Sequence, residues 1–171
     1  TIQDLIRKDL IIAGHDIGSG GLITTIMEMC FADNNIAANI DLTSIGERDS
    51  IKLLFSENSG IVIQSKDESI KKILDNKGID YCKIGSVTTE KKLLLKNYSD
   101  SYEINIEEYR DYWFKTSVLL DKKQTANNLS EIRYTNYKKQ PLNFKFPTGF
   151  SGKKPIPLEM EYRPKAAVIR E

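Results

Sequence analysis

The chain has few of the residues that build the commonest small sites and scaffolds. Its 171 residues include two cysteines, one histidine and five prolines, and no proline occurs before Pro141. Cys30 and Cys82 lie far apart and form no CxxC pair, so we expect buried, reduced thiols rather than a disulfide framework or a metal cluster. No cysteine or serine is placed with His15 as nucleophile and base, which argues against covalent catalysis.

Long apolar runs and an excess of one charge are missing as well. No apolar stretch approaches the roughly 20 residues that cross a bilayer. With 25 basic and 24 acidic residues, the formal net charge is +1, which gives no electrostatic reason to expect nucleic acid or an anionic membrane as partner. The composition, 40% hydrophobic and 29% charged, is that of an ordinary globular domain. We therefore expect a cytoplasmic protein.

A glycine-rich segment, residues 13–32, carries the most informative pattern. It reads AGHDIGSGGLITTIMEMCFA and contains His15, Asp16 and then three glycines. An apolar stripe with helical spacing begins at the glycine pair and comprises Leu22, Ile23, Ile26, Met27 and Cys30. Unpaired backbone amides at a helix N-terminus favour an anion such as a phosphate. Asp16, just ahead of the glycines, can hold a divalent cation against that phosphate.

A purely conformational interpretation of the same segment stays open. The segment is not a Walker loop, because no Gly-Lys-Ser/Thr follows, and it is not a GxGxxG fingerprint. Asp16 and Ser19 are then turn or cap residues, the glycines allow the backbone to turn, and His15 is a hydrogen-bonded histidine near the core.

The remaining pattern predicts alternating helices and strands, followed by consecutive strands. Such an order indicates an α+β fold in which helices pack on a mixed β-sheet of about four or more strands. In the last helix, an aromatic row that includes Tyr109 and Trp113 is expected to lie in the core and to brace the helix onto the domain. Helices are predicted at 1–13, 21–32, 44–55, 68–76 and 107–124, and strands at 37–42, 60–64, 79–87, 92–96 and 102–106.

The chemistry of the chain changes after about residue 137. All five prolines fall in the last 31 residues, among lysines and phenylalanines. Proline neither continues a helix nor donates to a sheet, so this segment is predicted to be an extended linker. Basic residues among aromatics can also bind single-stranded nucleic acid. No nucleic-acid-binding signature accompanies them, so we favour a linker whose phenylalanines pack on neighbouring domains.

Four segments of the chain resemble phosphoribosylformylglycinamidine synthase, in its large single-chain form. Residues 13–32 resemble that family's GAHDISDGGL…EMAFA segment, and residues 54–64 resemble LF(N/S)E..G.V(I/L)Q. Residues 112–117 resemble its W..T(S/T) helix, and residues 163–171 resemble RPKVAVLRE at the opening of its glutaminase domain. The four landmarks follow one another in the family's order along nearly the whole chain.

The resemblance implies a domain organisation. It assigns residues 1–105 to an α+β domain similar to the C-terminal domain of aminoimidazole ribonucleotide synthetase, and 106–137 to a helical extension. Residues 138–163 are then a Pro/Lys-rich linker, and 164–171 the first strand of a glutaminase domain. We expect this chain to be a piece of a longer polypeptide. The other synthetase portions and the glutaminase would be its partners, and exposed apolar faces would allow self-association.

The resemblance also implies a function and a site. The family uses ATP and glutamine to amidate formylglycinamide ribonucleotide, and its later synthetase half holds an auxiliary nucleotide with magnesium. Asp16 takes the place of a magnesium ligand, whereas Gly18 and Ser19 replace a serine and an aspartate, so this loop is less acidic. The positions that would contact the bound ATP or ADP are His15, Gly18, Ser19, Gly20 and Gly21.

No catalytic residue is expected within the chain, and no turnover by it alone. One alternative is a structural module that positions other domains and holds no ligand. A related synthetase, for selenophosphate or thiamine phosphate, is a weaker alternative, because those chains have no glutaminase domain to follow residues 163–171.

Overall fold

A computed structural model describes residues 1–33, 35–139 and 145–152. The chain divides into two units, the first being Thr1–Lys138. All the helices and strands described below lie in this first unit. In the second unit, the rings of Phe146 and Phe150 stack with their centroids 4.8 Å apart. The predicted strand at 164–171 and most of the predicted linker lie outside the described residues.

In the described residues of the first unit there are six α-helices, six strands and one short 3₁₀ helix, Thr43–Ile45. The helices are α1 (Ile2–Arg7), α2 (Gly21–Cys30), α3 (Ser50–Phe55), α4 (Ser69–Asn76), α5 (Ile106–Gln124) and α6 (Leu129–Asn136). The strands are β1 (Ile11–Asp16), β2 (Ala37–Asp41), β3 (Ile61–Ser65), β4 (Gly85–Thr88), β5 (Lys92–Asn97) and β6 (Asp100–Asn105).

The strands form two sheets. The larger sheet has the order β4-β2-β5-β6, with β2 and β5 parallel and the other two pairs antiparallel. The smaller sheet pairs β1 with β3 antiparallel, so that Asp16 lies opposite Ile61. The mixed four-stranded sheet with its helices confirms the predicted α+β class.

The main core lies between α2 and the larger sheet. Side chains on one face of α2 pack with the buried leucines of β5, Leu93 and Leu95. The α2 stripe was predicted correctly: Leu22, Ile23, Ile26 and Cys30 are buried, and Met27 is partly buried against them. A second cluster joins α1 to α4 through Leu5, Ile70 and Leu74. The core therefore fixes the position of α2, and the glycine-rich loop leads directly into the first turn of this helix.

The helix predicted at 1–13 is wrong beyond residue 7. Helix α1 ends at Arg7, and Asp9 adopts a left-handed conformation with φ +58°. The amide of Leu10 donates to the carbonyl of Leu5 at 3.0 Å, which closes the helix end. The following apolar residues form β1, because pairing with β3 satisfies their backbone groups. Gly14 consequently lies inside a strand and does not terminate a helix.

Two other predicted elements are shorter than expected. The helix predicted at 44–55 divides into the 3₁₀ helix and α3, because Gly46 takes a left-handed conformation (φ +87°) between them. The Asp49 side chain then caps α3 by accepting from the amides of Ile51 and Lys52. The strand predicted at 79–87 begins only at Gly85, where β4 pairs with β2.

The aromatic row on α5 is more exposed than predicted. Ile106 is buried at the start of the helix, but Tyr109 is 44% exposed and Trp113 is 47% exposed. One side of α5 packs on the rest of the unit, so the row lies at the margin of that contact rather than in the core. The predicted bracing is present in part, because the ring of Trp113 packs on Phe31 with centroids 5.9 Å apart.

Helix α6 folds back on α5 through polar contacts. The Asp111 carboxylate accepts from the hydroxyl of Tyr137 and from the ammonium of Lys138. Burial opposes ionisation of Asp111, but these two hydrogen bonds hold its pKa below the usual value. Arg133 forms a second link, donating to Asp121 at 2.8 Å. Together these contacts hold α6 and the two residues that follow it against α5.

The two cysteines differ in their environments. Cys30 is buried in the core, and desolvation raises the pKa of its thiol to about 11, so it is unreactive at neutral pH. Cys82 is exposed, and the prediction that both thiols are buried is wrong for it. It lies between α4 and β4, in a connection without helix or strand that leaves its side chains in water.

Candidate functional site

The glycine-rich loop connects the end of β1 to the start of α2. The amide of Ile17 donates to the carbonyl of Gly60 at 2.9 Å, which ties the loop to the beginning of β3. Gly20 and Gly21 then turn the chain into the helix with φ of +86° and +73°. An added Cβ on Gly21 would lie 2.6 Å from the carbonyl oxygen of Leu54. Glycine is therefore required at position 21 both by the backbone and by the end of α3.

Asp16 has a fixed main chain and an exposed carboxylate. Its carbonyl oxygen accepts from the hydroxyl of Thr25 at 3.1 Å and lies 2.6 Å from Nδ1 of His15. Its side chain is 84% exposed, and Oδ1 lies 3.6 Å from Nδ1 of His15. The carboxylate is thus available to a cation. The backbone of Asp16 is held by Thr25 of α2 and by the pairing of β1 with β3.

His15 contacts acceptor oxygens on both sides of its ring. Because a carbonyl only accepts, Nδ1 carries the hydrogen toward the main chain of Asp16. Nε2 lies 3.2 Å from Oε2 of Glu28, on the second turn of α2. Oε1 of Glu28 in turn accepts from the indole nitrogen of Trp113 at 2.8 Å. His15 is therefore held in one orientation by polar contacts at the edge of the domain.

The backbone amides of the loop are not equivalent. The amide of Gly20 donates to Oε1 of Glu57 at 2.9 Å, and the amide of Gly21 donates to the carbonyl of Gly18 at 3.0 Å. Among the residues that the structure describes, the amides of Gly18 and Ser19 have no hydrogen-bond acceptor. A bound phosphate thus has two amides directly available, and a third if Glu57 moves away.

The residues present fit a magnesium ion bound through a phosphate better than a metal held by protein alone. In the described part of the chain, no group of three His, Cys, Asp or Glu side chains is arranged to hold a metal. Magnesium commonly takes one or two carboxylates together with phosphate oxygens and waters. The single exposed carboxylate of Asp16, beside the amides of Gly18 and Ser19, matches that pattern.

A shallow groove of about 260 Å³ borders the loop. His15 and Asp16 lie at one side, and the rest of the lining is mostly apolar. Two of the isoleucines that line it, Ile6 and Ile61, are 52% and 54% exposed. The candidate site therefore combines a charged edge with an apolar wall. The apolar residues that line the groove are Ile2, Ile6, Ile11, Gly14, Ile61 and Ile63.

Residues 1–96, more than half of the chain, match the family described as AIR synthase related protein, C-terminal domain. The chain belongs to this family. The match covers the larger sheet as far as β5, together with the glycine-rich loop, and it confirms the resemblance found in the sequence.

Relatives of this AIR synthase related domain include proteins named phosphoribosylformylglycinamidine synthase. The chain is 31% identical over 175 residues to the Arabidopsis thaliana protein named Probable phosphoribosylformylglycinamidine synthase, chloroplastic/mitochondrial. That match covers 99% of the chain and 12% of the Arabidopsis protein. A Caenorhabditis elegans protein named Probable phosphoribosylformylglycinamidine synthase is 31% identical over 82% of the chain and 11% of its own length. The chain thus spans about an eighth of these relatives.

Solved structures with the same fold come from Thermotoga maritima. The structure titled PurL complexed with ATP has a TM-score of 0.50 and 19% identity, and covers 61% of this chain and 19% of its own. The structure of PurLQS has a TM-score of 0.52 and 20% identity, and covers 63% of this chain and 20% of its own. These likenesses establish the α+β fold of the AIR synthase related domain.

Three residues of this AIR synthase related domain that contact the glycine-rich loop or His15 were not predicted from the sequence. Glu57, Thr25 and Glu28 each bind a loop group or His15, but none of them lies within the loop. Glu57 belongs to one of the segments that resemble the synthase family, and that resemblance was the available signal.

None of the helices in the described part of the chain has both the length and the apolar character that a membrane span requires.

Proposed function

We propose that this chain is the C-terminal domain of a synthetase half within a larger phosphoribosylformylglycinamidine synthase. The match to the Arabidopsis relative, which extends over 99% of the chain, carries this proposal. The reaction is the ATP- and glutamine-dependent amidation of formylglycinamide ribonucleotide in purine biosynthesis. The partners are then other domains of the same enzyme, including its glutaminase, with no nucleic acid among them. The cytoplasm is the proposed compartment, in keeping with two free thiols.

The proposed contribution of this domain is one wall of an auxiliary nucleotide–magnesium site. Asp16 would bind the magnesium ion, and the amides of Gly18 and Ser19 would donate to a phosphate. Gly20 and Gly21 shape the loop, and His15 fixes the main chain at Asp16. When bound, magnesium would neutralise phosphate charge. Because one carboxylate is too few for the ion, other domains would complete the site, and the chain alone would not turn over substrate.

Replacing Asp16 with asparagine in the whole enzyme tests this role. Asparagine keeps the size of the side chain but removes the charge that would bind magnesium. We expect the ADP content per polypeptide of the purified variant to fall by about tenfold or more relative to the unmodified enzyme. The reason is that loss of a charged ligand costs more than about 1.4 kcal/mol of binding free energy. The measurement is denaturation of the purified protein followed by quantification of the released nucleotide by mass spectrometry.

Asp80→Asn is the matched control. Asp80 is exposed, lies between α4 and β4, and is remote in sequence from the loop. It should leave the nucleotide content unchanged. An Asp16→Asn enzyme that retains as much ADP as the unmodified enzyme would rule out Asp16 as a magnesium ligand.

A structural module without a ligand is the second candidate function, and two observations favour it. The carboxylate of Glu57 already occupies the amide of Gly20, which an anion would otherwise take. The isoleucine-lined groove beside the loop also presents apolar surface that another domain can cover. This alternative predicts that the unmodified whole enzyme releases no nucleotide when it is denatured.

A further inference from the structure

We infer that Glu28 is a positioning residue that joins the glycine-rich loop to helix α5. It contacts His15 on one side and Trp113 on the other, and His15 in turn contacts the main chain of Asp16. The existence of this connection is independent of any ligand. Its effect on binding rests on the proposed function, so the two are tested separately below.

The geometry at Glu28 uses both carboxylate oxygens for different partners. Oε2 lies 3.2 Å from Nε2 of His15, and Oε1 accepts from Nε1 of Trp113 at 2.8 Å. The side chain of Glu28 is 26% exposed, and its hydrogen bond from Trp113 lies at the surface of the domain. Rotating the carboxylate to improve one contact would weaken the other. The positions of His15 and Trp113 are therefore coupled through a single side chain.

Packing fixes Trp113 from the side of α5. Its ring contacts Phe31 at 5.9 Å and Phe114 at 5.0 Å between centroids. Phe31 follows Glu28 by three residues, so both lie on the side of α2 that faces α5. Ring packing thus orients the indole independently of the hydrogen bond that its nitrogen donates to Glu28. A displacement of α5 would move the donor away from the carboxylate.

The other end of the connection fixes the main chain at Asp16. The carbonyl oxygen of Asp16 lies 2.6 Å from Nδ1 of His15, and the hydroxyl of Thr25 holds the same oxygen from α2. Groups that orient a metal ligand without touching the metal commonly change metal affinity by tenfold or more. Removing the indole nitrogen should therefore weaken magnesium–ADP binding by about tenfold.

Nuclear magnetic resonance of the full chain can follow both ends directly, because the sequence has one histidine and one tryptophan. In ligand-free protein, Trp113→Phe should shift the ring resonances of His15, although the ring itself is far along the chain. Glu28→Ala should shift both the His15 ring and the Trp113 indole N–H. Glu28→Gln retains an oxygen that can accept from the indole, so it should restore the indole resonance to near its original position.

Tyr112→Phe is the control for Trp113→Phe. Tyr112 neighbours Trp113 and is 59% exposed, and its substitution should leave the His15 resonances in place. His15 resonances that are the same in Trp113→Phe and unmodified protein would overturn the inferred connection, provided that both give a folded-protein spectrum. Failure of Glu28→Gln to restore the indole resonance would equally contradict it.

ADP retention by the whole enzyme tests the positioning role. We expect the Trp113→Phe enzyme to retain about tenfold less ADP per polypeptide than the Tyr112→Phe enzyme. Equal retention would overturn the positioning role of Glu28, even if the resonances are linked. An unmodified enzyme that retains no ADP would count against both the proposed nucleotide site and this role. The ligand-free spectra would still decide whether Glu28 joins the loop to α5.

Discussion

Replacing Gly21 with alanine should lower the free energy of unfolding by about 3 kcal/mol, enough to unfold a marginally stable domain. Two costs add at this position. The backbone has φ +73°, a left-handed conformation that costs an alanine about 1 kcal/mol. The new methyl group would also lie 2.6 Å from the carbonyl oxygen of Leu54 and 2.9 Å from Cα of Phe55. These are backbone atoms of α3, so relief requires α2 and α3 to separate.

Substitutions at two other glycines separate the cost of the left-handed backbone from the cost of the close approach of α3. The measurement is urea denaturation of each variant. Gly78 has φ +61° but nothing within 4 Å of an added Cβ, so Gly78→Ala should cost only about 1 kcal/mol. Gly18 has neither a left-handed backbone nor a neighbour within 4 Å, so Gly18→Ala should change stability by less than about 0.5 kcal/mol. Equal costs at positions 21 and 78 would show that the close approach of α3 contributes nothing.

Truncating Leu93 to alanine should destabilise the domain by about 3 kcal/mol. Leu93 is completely buried in β5, at the centre of the sheet and under α2. Removal of its side chain leaves a cavity between helix and sheet that neighbouring side chains fill only in part. Thermal or urea unfolding followed by circular dichroism measures the loss.

Leu94 provides a control of the same chemistry on the same strand. Its side chain points to the opposite face of the sheet and is 36% exposed. Leu94→Ala should therefore cost about 1 kcal/mol or less. If Leu94→Ala were as damaging as Leu93→Ala, the face of β5 that meets α2 would have been assigned incorrectly.

Residue patterns were sufficient for the elements whose local signals agree with their tertiary contacts. Helix α2 carries a complete apolar stripe after a glycine pair, and the helix begins at Gly21 as predicted. Strand β3 is β-branched and bounded by turn residues, and it was also found. The three consecutive leucines of β5 predicted a strand, but not which of them face the core. That choice depends on the pairing of β5 with β2 and on the position of α2.

The errors arise where long-range contacts override the local pattern. The apolar spacing of residues 1–13 suits a helix, but the second half of this segment forms β1 because it pairs with β3. In the candidate site, the loop residues could be predicted because they are contiguous. The contacts of Glu57 with Gly20 and of Glu28 with Trp113 join residues 37 and 85 positions apart. No spacing rule reaches across such distances, so only the folded chain reveals them.

The proposed site depends on one interaction, that of a magnesium-bound phosphate with the loop between β1 and α2. A ¹H–¹⁵N correlation spectrum of the full chain, titrated with ADP at millimolar concentration with and without magnesium, measures it most directly. We predict that the amides of Gly18, Ser19 and Gly20 shift when magnesium is present, and that Asp16→Asn abolishes the dependence on magnesium. Loop amides that keep their positions throughout the titration, or that shift equally with and without the metal, would contradict the proposed site.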